Sequence, residues 1–159
     1  MIEQLEISDV LLDSASEIFE TMIFMDMEKA SDQSQRVDGD SLLGSITFTG
    51  ELEGCVSICC SSPCAKAVAV NMLAMDSDEE ISEEEICDAI GEVTNMIMGS
   101  VKARLIETVG NLEVSIPSVV GGRMLENSHG EKVLQTCVAV NIAEEHIAEL
   151  SILVREGTK

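Results

Sequence analysis

The chain has 159 residues, of which 45% are hydrophobic, and its formal net charge at pH 7 is −21. This length and hydrophobic content predict one domain with a sizeable core over residues 1–159. The acidic balance argues against binding to nucleic acids or to anionic membrane surfaces, which would repel it.

The sequence gives no indication of a membrane span or of a secretory signal. No apolar run approaches the ~20 residues that span a bilayer. The N-terminal residues lack the basic and apolar regions of a secretory signal. We therefore expect a cytoplasmic protein.

The first predicted element is a helix over about residues 8–27. Its apolar side chains recur at gaps of three and four residues, which places them on one stripe of the helix surface. A polar segment over 31–40 follows and predicts a loop. The stripe contains Leu11, Ala15, Ile18, Met22 and Met25.

The middle of the chain predicts a hairpin and a short helix. Apolar and polar residues alternate over 42–49 and 55–61, which indicates two strands around a turn at 50–54. Pro63, with Ser62 as the N-cap, then starts a short helix that ends near residue 74.

The rest of the chain predicts a second long helix and three or four strands. Acidic residues open this helix, which runs over about 82–106, and they favour its N-terminal dipole. Strands are predicted over 112–116, 133–141 and 146–154, and residues 124–127 add part of another. Because short turns join consecutive strands, we expect an α+β fold. It would be an antiparallel sheet of about six strands, with two long helices and one short helix packed on it.

The second long helix has an outer face of unusual composition. At about 100° per residue, an apolar stripe faces the core and the opposite side carries four other residues. Acidic residues there usually serve solubility, but Asn is a poor helix former and Gly costs about 1 kcal/mol relative to Ala. Solubility and a contact surface for another protein remain alternative interpretations. The four residues, which we call the second-helix ridge, are Asp88, Glu92, Asn95 and Gly99.

The first helix repeats part of this pattern. A first-helix ridge precedes the second-helix ridge by a constant 75 positions. The repeat predicts two related halves with approximate two-fold symmetry, one of which has Glu in place of Asn and Phe in place of Gly. The first-helix ridge consists of Asp13, Glu17, Glu20 and Phe24.

Six cysteines, at positions 55, 59, 60, 64, 87 and 137, leave two interpretations open. Two pairs are separated by three residues, whereas common zinc knuckles have two. Reduced thiols that serve as small apolar core residues therefore fit better than a metal or redox site.

The second-helix ridge carries a family resemblance. Asp88, Glu92 and Asn95, followed by Pro117, resemble the signature of the chemotaxis phosphatases CheC, CheX and FliY. The predicted hairpin before the helix, with the Gly44 to Phe48 segment, is also similar to this family. One intact motif is typical of CheX, since CheC usually carries two. The spacing departs by one residue, because 21 residues rather than 22 separate Asn95 from Pro117.

This resemblance implies an enzyme that dephosphorylates a CheY-like response regulator at its phospho-aspartate. Asn95 would orient the attacking water in the partner's active site, and Glu92 would pair with the partner's active-site Lys. Asp88 would border the contact and Gly99 would permit close approach. The chain itself would bind no cofactor, because the Mg2+ would belong to the receiver domain. Similarity to CheX further implies a homodimer formed through sheet edges.

Two alternatives lie outside this function. One is a non-enzymatic module that binds receivers, as flagellar switch proteins do, and the other is a metal-dependent hydrolase built from acidic residues and cysteines. A scaffold would have no use for the Asn95 amide, and the tight ligand pattern of a metal site is absent from the sequence. Glu20 in place of Asn predicts that the first-helix ridge is catalytically silent.

Overall fold

Three helices pack on one face of a seven-stranded antiparallel sheet. The computed structural model describes residues 4–74, 81–123 and 134–157. This arrangement confirms the predicted α+β class, with two long helices and one short one. None of the described helices is both long and apolar enough to cross a membrane.

Side-chain caps fix where two of the helices begin. Ser82 Oγ accepts a hydrogen bond from the Glu85 backbone N–H, and the Glu85 carboxylate accepts one from the Ser82 N–H, which closes a capping box. Ser61, not the predicted Ser62, caps the short helix, because its Oγ accepts from the Cys64 N–H at 3.2 Å. The helices are α1 (Gln4–Ile18), which continues as a π turn (Phe19–Ile23), α2 (Ser62–Met72) and α3 (Glu83–Val109).

The π turn changes which side chains of the first helix are buried. A π turn has a wider hydrogen-bond spacing than an α-helix, so it shifts the buried positions that follow. Phe19 and Ile23 are fully buried, whereas Met22 of the predicted stripe is 50% exposed. The helix ends at Phe24, whose φ of 63° is left-handed, so the prediction of a helix to residue 27 is wrong.

The strands extend the predicted set. Met27, which the apolar periodicity predicts to be helical, begins a short strand. The predicted strand over 112–116 is reduced to two residues, and another strand begins after Pro117. The predicted strand segment over 124–127 lies outside the described residues. The strands are β1 (Met27–Lys29), β2 (Asp40–Thr49), β3 (Leu52–Ser61), β4 (Glu113–Val114), β5 (Ser118–Arg123), β6 (Leu134–Ile142) and β7 (His146–Glu156).

The sheet has the internal symmetry that the repeat predicted. Its order is β1-β6-β7-β3-β2-β4, with β5 also paired to β2. If β1 is exchanged with β4, β2 with β6 and β3 with β7, the result is the same strand order read from the opposite edge of the sheet. At the centre, Ser57 of β3 pairs with Ser151 of β7, and their hydroxyls are hydrogen-bonded. The two halves are therefore related by an approximate two-fold axis.

The helices fit this symmetry with an offset of 86 residues rather than 75. The π turn ends at Ile23, four residues before β1 begins, and α3 ends at Val109, four residues before β4 begins. The two helix ends and the two strand starts are each 86 residues apart, because 109 − 23 and 113 − 27 both equal 86. The C-cap residues Phe24 and Gly110, both with positive φ, differ by the same offset. The two offsets differ by 11 residues, about three helical turns, so the outer faces still match. Glu17 therefore corresponds in position to Ala103 and not to Glu92.

Candidate functional site

The structure places the whole second-helix ridge on the surface. Asp88, Glu92, Asn95 and Gly99 are all exposed on α3. The predicted apolar stripe faces the sheet: Ile86 is half-buried, and Ile90, Val93, Ile97 and Val101 are at most 1% exposed. The helical periodicity therefore assigned both faces correctly.

The polar groups of the ridge are available to another molecule. Within residues 4–74, 81–123 and 134–157, no hydrogen bond or ion pair engages the side chains of Asp88, Glu92 or Asn95. A Cβ added to Gly99 would meet nothing within 4 Å. Packing inside the chain therefore does not require glycine at this position.

Close contact with β2 fixes the helix segment that carries Glu92 and Asn95. Thr94 lies between them in sequence and is fully buried, and its Oγ1 donates to the Ile90 carbonyl at 2.7 Å. A Cβ added to Gly44 of β2 would lie only 2.2 Å from this Oγ1. Helix α3 therefore approaches β2 so closely that only glycine fits at position 44.

A second contact supports the same segment from the side. A Cβ added to the buried Gly91 would lie 3.5 Å from Val119 and 3.9 Å from Pro117. Pro117 is half-buried and precedes β5. Pro117 therefore packs beside α3 at Gly91, the residue before Glu92. It supports the helix and offers no polar group to a partner.

The residues of the first-helix ridge differ from those of the second-helix ridge in their contacts and positions. Glu17 accepts a hydrogen bond from Ser100 Oγ at 3.0 Å and pairs with Arg104 at 3.4 Å, so its carboxylate is held by α3. Glu20 is exposed on the π turn. Phe24 is 74% exposed, but it is the C-cap residue of the helix. It is therefore not the structural counterpart of Gly99, which lies within α3.

The cysteines behave mainly as core residues. Cys59, Cys60 and Cys64 are buried, and none of the six cysteines, all of which lie within the described residues, forms a disulfide. A hydrogen bond with Cys64, together with burial, raises the pKa of the Cys60 thiol well above its ordinary value. Burial and the charge of Glu149 raise the pKa of Cys137. In the described part of the chain, no group of three or more His, Cys, Asp or Glu residues is placed to hold a metal ion.

An open groove lies away from the ridge. The groove, of about 900 Å3, is lined by the start of α2, the start of α3 and residues of β2 and β5, including Lys66 and Cys87. None of the four ridge residues lines it. The ridge is thus exposed helix surface outside this groove, which suits contact with another protein better than binding of a small molecule.

The ridge combines two groups with complementary chemistry. A carboxylate at Glu92 and an amide at Asn95 lie about one helical turn apart, so one helix can present both. The amide can accept a hydrogen bond through its oxygen and donate through its nitrogen, but it cannot act as a strong base. Such a pair can recognise a cation and position a water molecule.

A family model matches the sequence of this chain, and several solved structures share its fold. The family model described as chemotaxis phosphatase CheX matches residues 42–141. The fold is similar to that of the chemotaxis protein CheX from Vibrio vulnificus, with a TM-score of 0.81, 23% identity, and coverage of 98% of this chain and 100% of that chain. No curated protein sequence matches this chain.

Two further crystal structures have the same fold. A putative chemotaxis protein from Desulfovibrio vulgaris Hildenborough has a TM-score of 0.78 at 21% identity, with coverage of 98% and 100% of the two chains. CheX in the CheX–CheY–BeF3–Mg2+ complex from Borrelia burgdorferi has a TM-score of 0.70 at 22% identity, again with coverage of 98% and 100%.

Proposed function

Because this chain belongs to the chemotaxis phosphatase CheX family, we propose that it dephosphorylates the phospho-aspartate of a CheY-like receiver domain in the cytoplasm. The single observation that carries the proposal is the exposed Asn95 amide, which has no partner within the described residues. The CheX–CheY complex from Borrelia burgdorferi supports a receiver as the partner.

In the proposed reaction, Asn95 enters the receiver's active site and holds a water molecule in line with the phosphorus atom. The water oxygen forms a bond to phosphorus, and the bond between phosphorus and the aspartyl oxygen breaks. The products are inorganic phosphate and the free aspartate of the receiver. Such phosphoryl transfers depend mainly on positioning and charge stabilisation, so an amide without strong basicity suffices.

Glu92 would bind the receiver rather than take part in bond making. Its carboxylate would form an ion pair with the lysine of the receiver's active site, which would set the register of α3 on its partner. Asp88 would border this contact, and Gly99 would let the receiver backbone approach α3 closely. The Mg2+ would be held by the receiver, so this chain would contribute no metal ligand.

A homodimer is part of the same proposal. Strand β1 covers only the Val140–Ile142 end of β6. The Gln33 side-chain amide pairs with both backbone groups of Ala139 at 2.9 Å, as a neighbouring strand would. No strand in the described part of the chain pairs with the outer edge of β6 before Ala139. This edge offers a place for a second copy, and sedimentation analysis of the purified protein tests for the dimer.

Phosphate release from a phosphorylated receiver tests the activity. The protein should accelerate release, and Asn95→Ala should reduce kcat by about 100-fold or more, because water positioning is the main catalytic contribution. Glu20→Ala, a change at an exposed residue on the π turn of the first helix, should leave kcat unchanged. An Asn95→Ala protein as active as the wild type would contradict the proposal.

The same assay separates the phosphatase from a binding module. Beryllium fluoride converts receivers to a stable state in which binding can be measured without hydrolysis. If the wild-type protein binds this receiver but leaves phosphate release at the spontaneous rate, the chain is an interaction module. If Asn95→Ala keeps its affinity while losing turnover, the amide acts in catalysis.

A further inference from the structure

The residue pair Gly44 and Thr94 lies directly beneath the exposed catalytic pair. We propose that Gly44 and Thr94 are positioning residues, which set the height of α3 above the sheet and thereby the reach of Asn95 into the receiver. This inference rests on the proposed phosphatase function. It assigns a role in catalysis to a strand residue that touches neither the receiver nor the reacting atoms.

The contact leaves no room for any side chain at position 44. A Cβ there would lie 2.2 Å from Thr94 Oγ1 and 3.1 Å from Ile90 Cγ2. Gly44 lies in a regular stretch of β2, where glycine weakens the strand and usually marks a close approach of another element. The close approach here is that of α3.

The strand cannot move to relieve such a clash. Gly44 pairs with Ile58 on β3 and with Val119 on β5, so both sides of β2 are held by neighbouring strands. Thr94 is fully buried and its Oγ1 is engaged by the Ile90 carbonyl, which restrains rotation of the side chain. The remaining response to an added methyl group is a displacement of α3 away from the sheet.

Displacement at Thr94 is transmitted directly to the ridge. Asn95 is the next residue, and Glu92 lies two residues earlier on the same rigid helix. A misplacement of ~1 Å can cost about 100-fold in rate, since attack requires close alignment. A Glu–Lys ion pair tolerates such a shift better, because both side chains are long and flexible. The helix height therefore affects kcat more than KM.

Gly44→Ala tests this inference on the full-length protein. Relative to wild type, kcat should fall by about 10-fold or more while KM changes by less than about threefold, because the amide is misplaced more severely than the docking carboxylate. Thr94→Ala removes the clashing Oγ1. In the Gly44→Ala background it should restore kcat to within about threefold of the Thr94→Ala single variant, since near-additivity returns once the clash is gone.

Val101→Ala serves as the matched control. Val101 is fully buried on the same helix, about two turns beyond Thr94, and its truncation loosens packing without pushing the helix outward. Circular dichroism gives the folded fraction of each variant. After correction for the folded fraction, Val101→Ala should keep the wild-type kcat. A lower kcat in Gly44→Ala could then not be attributed to a general loss of stability.

The outcomes separate this inference from the proposed function. A wild-type protein without phosphatase activity overturns the function itself. An active wild type, with Asn95→Ala inactive but Gly44→Ala unchanged in kcat, overturns the positioning role alone. Failure of Thr94→Ala to restore kcat in the double variant, with both proteins folded, also overturns it.

Discussion

Helices α1 and α3 occupy equivalent places in the two halves of the sheet, but their outer faces differ in chemistry. With the offset of 86 residues, the exposed Glu6 and Asp9 of α1 are the counterparts of Glu92 and Asn95, so α1 has an acid where α3 has the amide. On α3, the Glu92 and Asn95 side chains point outward without partners in the described residues. On α1, the Glu17 carboxylate is held by Ser100 and Arg104. A repeated fold element need not repeat its surface, because each surface is free to diverge while the buried faces are constrained.

The difference extends to how each helix is supported and ended. The ridge segment of α3 is fixed against β2 at Gly44 and beside Pro117 at Gly91. The C-terminal end of α1 widens into a π turn and stops at the exposed Phe24, whereas the equivalent end of α3 stays α-helical to Val109. A fixed, continuous helix suits a task that depends on accurate positioning, whereas the widened turn does not.

Charge reversal on the two helices is the strongest way to test this contrast. Glu92→Lys should lower kcat/KM by about 100-fold, because it replaces an attractive pair with repulsion of the receiver's lysine. Truncating one partner of a buried charge pair costs about 2–5 kcal/mol. Most of the loss should lie in KM and be relieved by raising the receiver concentration. Steady-state kinetics of phosphate release measures both terms.

Glu17→Lys is the matched control for this charge reversal. Glu17 is exposed and its pair with Arg104 is a surface ion pair, which contributes about 0–1 kcal/mol to stability. The variant should keep the wild-type kcat/KM. Equal losses in the two variants would mean that the overall charge of the protein, and not the α3 ridge, governs receiver binding.

The parts of this site that follow from the sequence are those set by local periodicity. The apolar positions of α3 recur with helical spacing over many turns, so they assign Glu92 and Asn95 to the outer face. The symmetry of the sheet follows in the same way from two similar sets of elements. The predicted offset of 75 residues matched the outer face of α1 with the outer face of α3, but it paired positions about three helical turns away from the structurally equivalent ones.

The features that escaped prediction depend on contacts between distant segments. Strand β1 has three residues and exists because Met27 pairs with Ile142 at the far end of the chain. The π turn likewise has no clear sequence signal. The Gly44–Thr94 contact had a partial signal, a glycine within a strand, but the pattern does not say which element approaches it.

The open space at Gly99 gives a second test, with opposite effects on stability and activity. Gly99→Leu should stabilise the protein by about 0.5–1 kcal/mol, because leucine is a far better helix former than glycine. It should also lower kcat/KM by about 10-fold, since the added side chain would meet the receiver where close approach is needed. Thermal unfolding and phosphate release measure the two effects on the same sample.

Glu107→Leu, two turns further along the exposed part of α3, controls for added apolar surface. It should leave kcat/KM unchanged. If Gly99→Leu also left kcat/KM unchanged, the glycine would have no role in docking, and the contact would be confined to the Glu92 and Asn95 portion of the helix.

The helix ends provide the smallest predicted effect and the sharpest structural comparison. Phe24 and Gly110 occupy equivalent C-cap positions, with φ of 63° and 74°, and nothing lies within 4 Å of a Cβ added at Gly110. A left-handed conformation costs a residue with a Cβ about 1 kcal/mol relative to glycine. Phe24→Gly should therefore raise the free energy of unfolding by up to about 1 kcal/mol. Gly110→Ala should lower it by about 1 kcal/mol or more, because a φ of 74° with a ψ of −164° is a backbone region almost confined to glycine. Urea denaturation followed by circular dichroism measures both, and changes of the same sign would show that the two caps are not equivalent.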